Sequence, residues 1–249
     1  MSRVVCWFSC GAASAVATKL ALSQFSGREI VIARCLIDEE HPDNDRFAAD
    51  CEAWFWQSIV NLKSEKWGSS IVSVFDKRKG MSFPHGAPCT MLLKKDVRVA
   101  FERPTDTHVF GYTAEEQERW DSFLDANNIA AVSPLIERGI EHADCLSMIE
   151  TAGIQMPVMY RLGYGHNNCI GCVKASGAGY WNKVRRDFPV VFQQRAEQSR
   201  RLGCRLTRVN EERIFLDELP TGVGRYEDEP KIQCGIFCEM ANAEIKVAA

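Results

Sequence analysis

Arg3-Val4-Val5-Cys6-Trp7-Phe8-Ser9-Cys10-Gly11-Ala12-Ala13-Ser14 reads as an apolar strand that runs through a turn of small residues into a helical Ala/Leu stretch. Such a turn exposes unpaired backbone N–H groups, and the helix behind it adds free donors and the positive end of its dipole. An anionic phosphate fits there. Gly11 lets the backbone approach a ligand or take a positive φ; Ser9 and Ser14 bring hydroxyl donors, and Ala12 and Ala13 leave room beside Cys10. The same strand-turn-helix also serves purely structural ends, so its context decides its meaning.

Outward from that unit, strand and helix alternate. Apolar runs at 4–8, 30–37, 71–75, 108–111 and 131–135 predict five short strands. Between them, Ala13, Val16, Ala17 and Leu20 share one helix face that Gly27 ends, and Phe47, Cys51, Trp54, Phe55 and Ile59 mark a second helix. Residues 91–101 predict a third. Thr113 followed by Glu116 is a capping-box pattern ahead of the stripe Trp120, Phe123 and Leu124. This alternation predicts an α/β domain, a parallel sheet with helices on both faces and a ligand rim at the carboxyl ends of its strands. The rim segments are then 9–14, 38–43, 76–89 and 111–116, the last opened by Gly111, which counts with the nucleotide-binding residues.

The chain has 249 residues, 46% hydrophobic and 25% charged, an ordinary soluble composition with no apolar run long enough to span a bilayer. No secretory signal is read at its start, so the expected location is the cytoplasm. In that compartment eleven cysteines point to metal or redox chemistry rather than disulfides. Net charge is −3, yet between Lys174 and Arg213 ten basic residues face four acidic ones. That stretch suits a polyanion such as RNA or DNA, or a solvated helix face. Near residue 156 the pattern turns loop-rich, with Gly163, Gly165, Gly171, Gly177 and Gly179. The expected division is 1–155 for the nucleotide-binding domain and 156–249 for a metal-binding extension packed on it.

Asn168-Cys169-Ile170-Gly171-Cys172 places two thiols so that one turn presents both sulfurs to one centre. Cys234 and Cys238 form a second close pair, and Cys89 stands at the start of a helix in Pro88-Cys89-Thr90. Structural zinc, an iron-sulfur cluster and a redox dithiol all use such pairs; the glycines around Cys169 argue against the dithiol. Cys6, Cys35, Cys51 and Cys145 lie in apolar patterns and read as small buried hydrophobes. Asp38, in the acidic run after the second strand, suits Mg²⁺ or a ribose, or is part of an acidic cap on the next helix. Lys94 and Arg119 are candidates to neutralise phosphate or sulfate, against the alternatives of an exposed lysine and an i,i+4 pair with Glu115. His166 reads as a turn residue.

Phe8-Ser9-Cys10-Gly11-Ala12-Ala13-Ser14 resembles the modified phosphate loop of the PP-loop superfamily, and Asp38-Glu39-Glu40-His41-Pro42-Asp43 resembles the segment after its second strand. Cys89-Thr90-Met91-Leu92-Leu93-Lys94, the run from Gly111 to Arg119 and Ser133-Pro134-Leu135-Ile136 are similar to later segments of the phosphoadenosine phosphosulfate (PAPS) reductase family. The resemblance implies a Rossmann-like sheet ordered 3-2-1-4-5 that binds ATP or an adenylyl sulfate-type nucleotide. It also implies a [4Fe-4S] cluster at Cys89, Cys169 and Cys172, its fourth ligand either supplied by Cys234 or Cys238 or absent, as in the three-thiolate clusters with one open iron of related ATP-dependent thiolation enzymes, and a reductant protein as partner. In sulfonucleotide reductases a C-terminal cysteine attacks sulfur; Gln233-Cys234-Gly235-Ile236 matches that segment only at Cys-Gly-Ile, so Cys234 is both a candidate nucleophile and a candidate ligand. The common loop has a second Gly and an Asp before its last Ser; here Cys10 or Ala12 stands at the first position and Ala13 at the second, and loss of the carboxylate weakens metal-assisted adenylation. The activity expected is oxidoreductase-type sulfur chemistry on the nucleotide, with or without self-association. Its alternatives are an ATP-dependent thiolation enzyme acting on nucleic acid and a non-catalytic nucleotide-binding module pinned by zinc.

Overall fold

The computed structural model describes residues 2–83 and 86–226. Cys234 and Cys238 lie outside the described residues. Five parallel strands, β1 (Val4–Trp7), β2 (Ile30–Cys35), β3 (Ile59–Leu62), β4 (Thr107–Val109) and β5 (Ala131–Val132), form one sheet in the order β3-β2-β1-β4-β5. From β1 the chain steps outward to β2 and β3, then returns past β1 to build β4 and β5. The order therefore reverses between β1 and β4, and the carboxyl end of β1 opens into that crevice. This is the Rossmann-like α/β fold.

Helix α1 (Ala12–Gln24) leaves β1 through the 9–11 turn and is buried along nearly its whole length, from Ala12 to Ala21. It packs with α2 (Asp43–Phe55), and also with α7 (Pro134–Glu137) and α8 (His142–Thr151) from later in the chain. Gly27, at φ 88°, follows α1 as expected. The capping box of Thr113 and Glu116 forms ahead of α6 (Gln117–Ala126).

One predicted strand is a helix. Residues 71–75 belong to α3 (Ile71–Arg78), and the third strand is Ile59–Leu62, so 76–89 follows a helix rather than a strand. The helix wins because its first amides are held from a distance. Glu39 accepts from Ser70 Oγ (2.7 Å), Ile71 N (2.8 Å) and Val72 N (3.2 Å), and Ser70 Oγ accepts from Ser73 N (3.2 Å). Ile71, Val74 and Phe75 then face the core together. Correspondingly, α2 stops at Phe55 because Trp56 turns left-handed, which releases Ile59 into β3.

From residue 88 a helical run carries a π turn: α4 (Pro88–Thr90), the π segment Met91–Lys95 and α5 (Asp96–Phe101) follow without a break. Further on, α9 (Val158–Arg161), α10 (Ala178–Asp187) and α11 (Pro189–Arg201) precede a hairpin of β6 (Thr207–Val209) and β7 (Glu212–Ile214), turned by Asn210 and Glu211 at positive φ. Two cores result. One lies between the sheet and α1, α2 and α8; the other gathers Ile37, Phe75 and Leu93 with Trp181, Val184 and Phe192 around the Cys169–Cys172 loop. Among the described residues no helix is long and apolar enough to cross a membrane.

Candidate functional site

The 9–14 turn sits at the crevice, and its geometry is specific. Cys10 takes the left-handed conformation (φ 57°) and buries its side chain, with Sγ 3.7 Å from Asn44 O and the thiol pKa pushed up to about 12 by burial. Only its main chain can serve a ligand. The Ser14 hydroxyl, expected to grip phosphate, instead holds the turn. It accepts from Ser9 N (3.0 Å) and Ser9 Oγ (3.2 Å) and donates to Gly11 O (2.9 Å). Ser9 itself is exposed. Ala12 N donates to the Tyr160 hydroxyl at 3.3 Å, whereas the amides of Cys10, Gly11, Ala13 and Ser14 have no hydrogen-bond partner among the described residues. Gly111 has a packing reason: a Cβ there would lie 2.7 Å from Ser14 N and 2.8 Å from Ala13 C, so only glycine lets the end of β4 close on the start of α1.

Behind the turn runs a buried polar chain that the sequence did not reveal. Asn167 Nδ2 donates to Cys10 O (2.6 Å) and to Asn44 Oδ1 (2.8 Å), and Asn44 Nδ2 donates to Glu40 Oε2 (3.1 Å). Glu40 is shared by two cations, Arg34 at 3.7 Å and Lys94 at 3.8 Å. Burial raises the Glu40 pKa, against Lys94, Asn44 and Arg34, which pull it down. Lys94 is carried on the π turn and its side chain stays 45% exposed. Its surroundings disfavour charge by desolvation, but Glu40 and the thiols of Cys169, Cys35 and Cys89 outweigh that and raise its pKa. Lys94 is a held cation facing thiols.

Cys89, Cys169 and Cys172 share that neighbourhood. Burial raises the Cys89 pKa, with the charge of Cys172 adding to it; burial pushes Cys169 to about 12, with Glu40, Cys172 and Cys89 adding and Lys94 opposing. Cys35, assigned to the core from sequence, is half-buried at the end of β2, its pKa pushed up to about 11 by burial. The Cys169–Cys172 loop is pinned by Ile170 N to Glu39 O (2.9 Å) and Cys172 N to Tyr180 Oη (2.8 Å). Gly171, at φ 66°, packs beside Trp181 and Val191. Beneath it lies Arg195, 3% exposed, which donates to Gln198 Oε1 (2.7 Å), has a buried Nε without a partner and makes no salt bridge among the described residues. Burial lowers its pKa, against Glu39, Cys169, Cys89 and Cys172.

Whether these donors fit a metal has a divided answer. The charges suit an anionic thiolate centre between Lys94 and Arg195, but among the described residues no three His, Cys, Asp or Glu side chains gather into a metal site. The described residues alone do not complete one.

The remaining candidates are placed less favourably. Arg119 is 69% exposed, ion-paired with Glu116 rather than Glu115, and lies over the Tyr112 ring. Glu115 instead accepts from His142 N. Asp38 is exposed, and the carboxylate that joins the site is Glu40. Among the described residues, four of the ten basic residues of the 174–213 stretch are ion-paired: Lys183 and Arg186 with Asp187, Arg200 with Asp217 and Glu218, and Arg201 with Asp76. No protein-family model matches this chain, and no curated protein matches it.

Proposed function

We propose that this chain binds an adenine nucleotide on the 9–14 turn and performs sulfur chemistry at the adjoining thiols, as a PAPS-reductase-like enzyme. One observation carries the reading. A left-handed turn with four amides unpartnered among the described residues lies at the reversal point of a 3-2-1-4-5 sheet and is bonded through Asn167 to the segment bearing Cys169 and Cys172.

On this reading the free amides and the start of α1 hold the phosphates, the Tyr160 hydroxyl giving way from Ala12 N. Lys94, held beside the Glu40 carboxylate, meets the charge on the transferable sulfate. A resident iron-sulfur cluster, or zinc, would need a ligand from outside the described residues, Cys234 or Cys238; an iron-sulfur cluster would supply electron storage or a Lewis-acidic iron. If the reaction is sulfonucleotide reduction, a thiolate such as Cys234 attacks sulfur and AMP, or its 3′-phosphorylated form, leaves; a second thiol, from the reductant protein or from dithiothreitol added to the assay, then attacks the cysteine sulfur, so that sulfite departs and a disulfide remains.

The test is a binding screen of ATP, AMP, adenosine 5′-phosphosulfate and its 3′-phosphorylated form on anaerobically purified protein, with metal analysis and sulfite detection. Preferential binding of a phosphosulfate with sulfite release is expected. Binding of none of the four would overturn the reading.

A further inference from the structure

We infer that Asn167 is a positioning residue that locks the Cys169–Cys172 loop to the phosphate-binding turn, so that nucleotide on the turn is registered at the thiols. The inference deepens the function proposed above and rests on its nucleotide reading.

The geometry is a relay of short contacts. Asn167 is 6% exposed, and both hydrogens of its amide are used, one on Cys10 O at 2.6 Å and one on Asn44 Oδ1 at 2.8 Å. Cys10 is not a glycine, so its left-handed φ of 57° is a strained conformation that its surroundings must hold. Asn167 holds its carbonyl. Two residues later the same backbone carries Cys169, and Ile170 N is fixed to Glu39 O at 2.9 Å, leaving that short segment little freedom to move independently. From Asn44 the chain continues to Glu40 and from Glu40 to Lys94, the cation facing the thiols. Two routes therefore run from the turn to the thiols: one along the backbone, one through buried side chains. Connected buried polar groups of this kind resist piecemeal movement.

The Asn167 Oδ1 is buried without a partner among the described residues, so the side chain acts here only as a double donor. An apolar residue in its place would leave Cys10 O and Asn44 Oδ1 unpaired. Phosphate bound to the amides of the turn acts on the same peptide groups that Asn167 clamps. A change there must either be absorbed by the Asn167 contact or passed to residues 168–172.

Amide hydrogen exchange of the 166–173 segment, read by mass spectrometry with adenosine 5′-phosphosulfate as probe, tests this whether or not metal is bound. In the wild type the probe is expected to slow exchange there about fivefold, the low end of ordinary site-to-site coupling. Asn167→Ala should still bind the probe and lose the slowing. Asn44→Ser, which removes the other acceptor, should reduce it, and decides the matter if Asn167→Ala loses the fold or the probe. Slowing retained in the variants, or absent from a wild type that binds, overturns this inference alone. If the wild type does not bind this probe, the nucleotide of the four that it does bind takes its place; a wild type that binds none of the four overturns the nucleotide reading and this inference with it.

Discussion

Two arginines, both buried, mark the two ends of the molecule. Arg3, below the sheet, is matched by Asp106 through Nε at 3.1 Å and Nη2 at 2.6 Å, with the Asp106 carboxylate fully buried. That hydrogen bond raises the Arg3 pKa despite burial. Arg195, beneath the thiol loop, has a glutamine oxygen and, among the described residues, no carboxylate. A guanidinium cannot shed its charge in a protein, so the two ends differ in kind. The sheet end is electrostatically closed by its own residues, whereas the thiol end carries positive charge whose natural complement is a negative thiolate centre.

The contrast can be broken in graded ways. The largest effect is expected from Gly111→Ala, whose new Cβ would meet main-chain atoms of Ala13 and Ser14 at 2.7–2.8 Å. Backbone cannot yield as a side-chain tip does, so urea titration should show a loss of about 3 kcal/mol and nucleotide binding should go with it. A loss below about 1 kcal/mol would mean that the crevice is looser than its contacts imply.

Next comes the closed end. Burial alone would raise the Asp106 pKa, but the Arg3 hydrogen bond, the Arg103 amide and the Arg3 charge bring it below the ordinary 3.8. Its folded-state pKa is therefore the lower of the two. The stability it brings is fully present above about pH 4 and is lost as pH falls through that lower value. Asp106→Asn should cost about 3 kcal/mol at neutral pH and flatten the acid limb of a stability-against-pH curve. An unchanged acid limb would count against the pairing.

Arg195→Met sharpens the comparison most. With negative charge on the thiols, the substitution should lower the stability of anaerobic protein by about 2 kcal/mol. A neutral or stabilising result would say that no such charge is there. Smallest of all is Trp56→Gly: the side chain is 86% exposed and φ is 58°, so relief of the left-handed strain should stabilise by about 0.5–1 kcal/mol in thermal melts.

What could be read from sequence follows from how local each cause is. The strand-turn-helix at 3–14 and the Thr113 capping box are local, and both are where the sequence puts them. Residues 71–75 misled because an apolar β-branched run suits either element. The deciding caps come from Glu39, more than thirty residues back, although the spacing of Ile71, Val74 and Phe75 was a readable helical sign. Ser14 was legible as important but not in its role, since its hydroxyl turns inward to Ser9 and Gly11. Asn167 carried no reading of its own beside His166. Its partners lie 157 and 123 positions away, and no local pattern announces a bond across that distance. Arg195 was hidden inside a basic run whose members have unrelated fates, from a surface ion pair at Arg200 to full burial.

The central claim is that main-chain amides at the start of α1 receive the nucleotide. Gly11 is extended (φ −96°, ψ 155°), a conformation compatible with a following proline, and proline is well tolerated at the first position of a helix. Ala12→Pro therefore removes one amide donor while leaving the helix start in place. Calorimetric titration of anaerobic wild type and variant with adenosine 5′-phosphosulfate should give one site per chain, with affinity about tenfold weaker in the variant, a single hydrogen bond to an anion. Equal affinity for both proteins, or a wild type that takes up no nucleotide, would contradict the account.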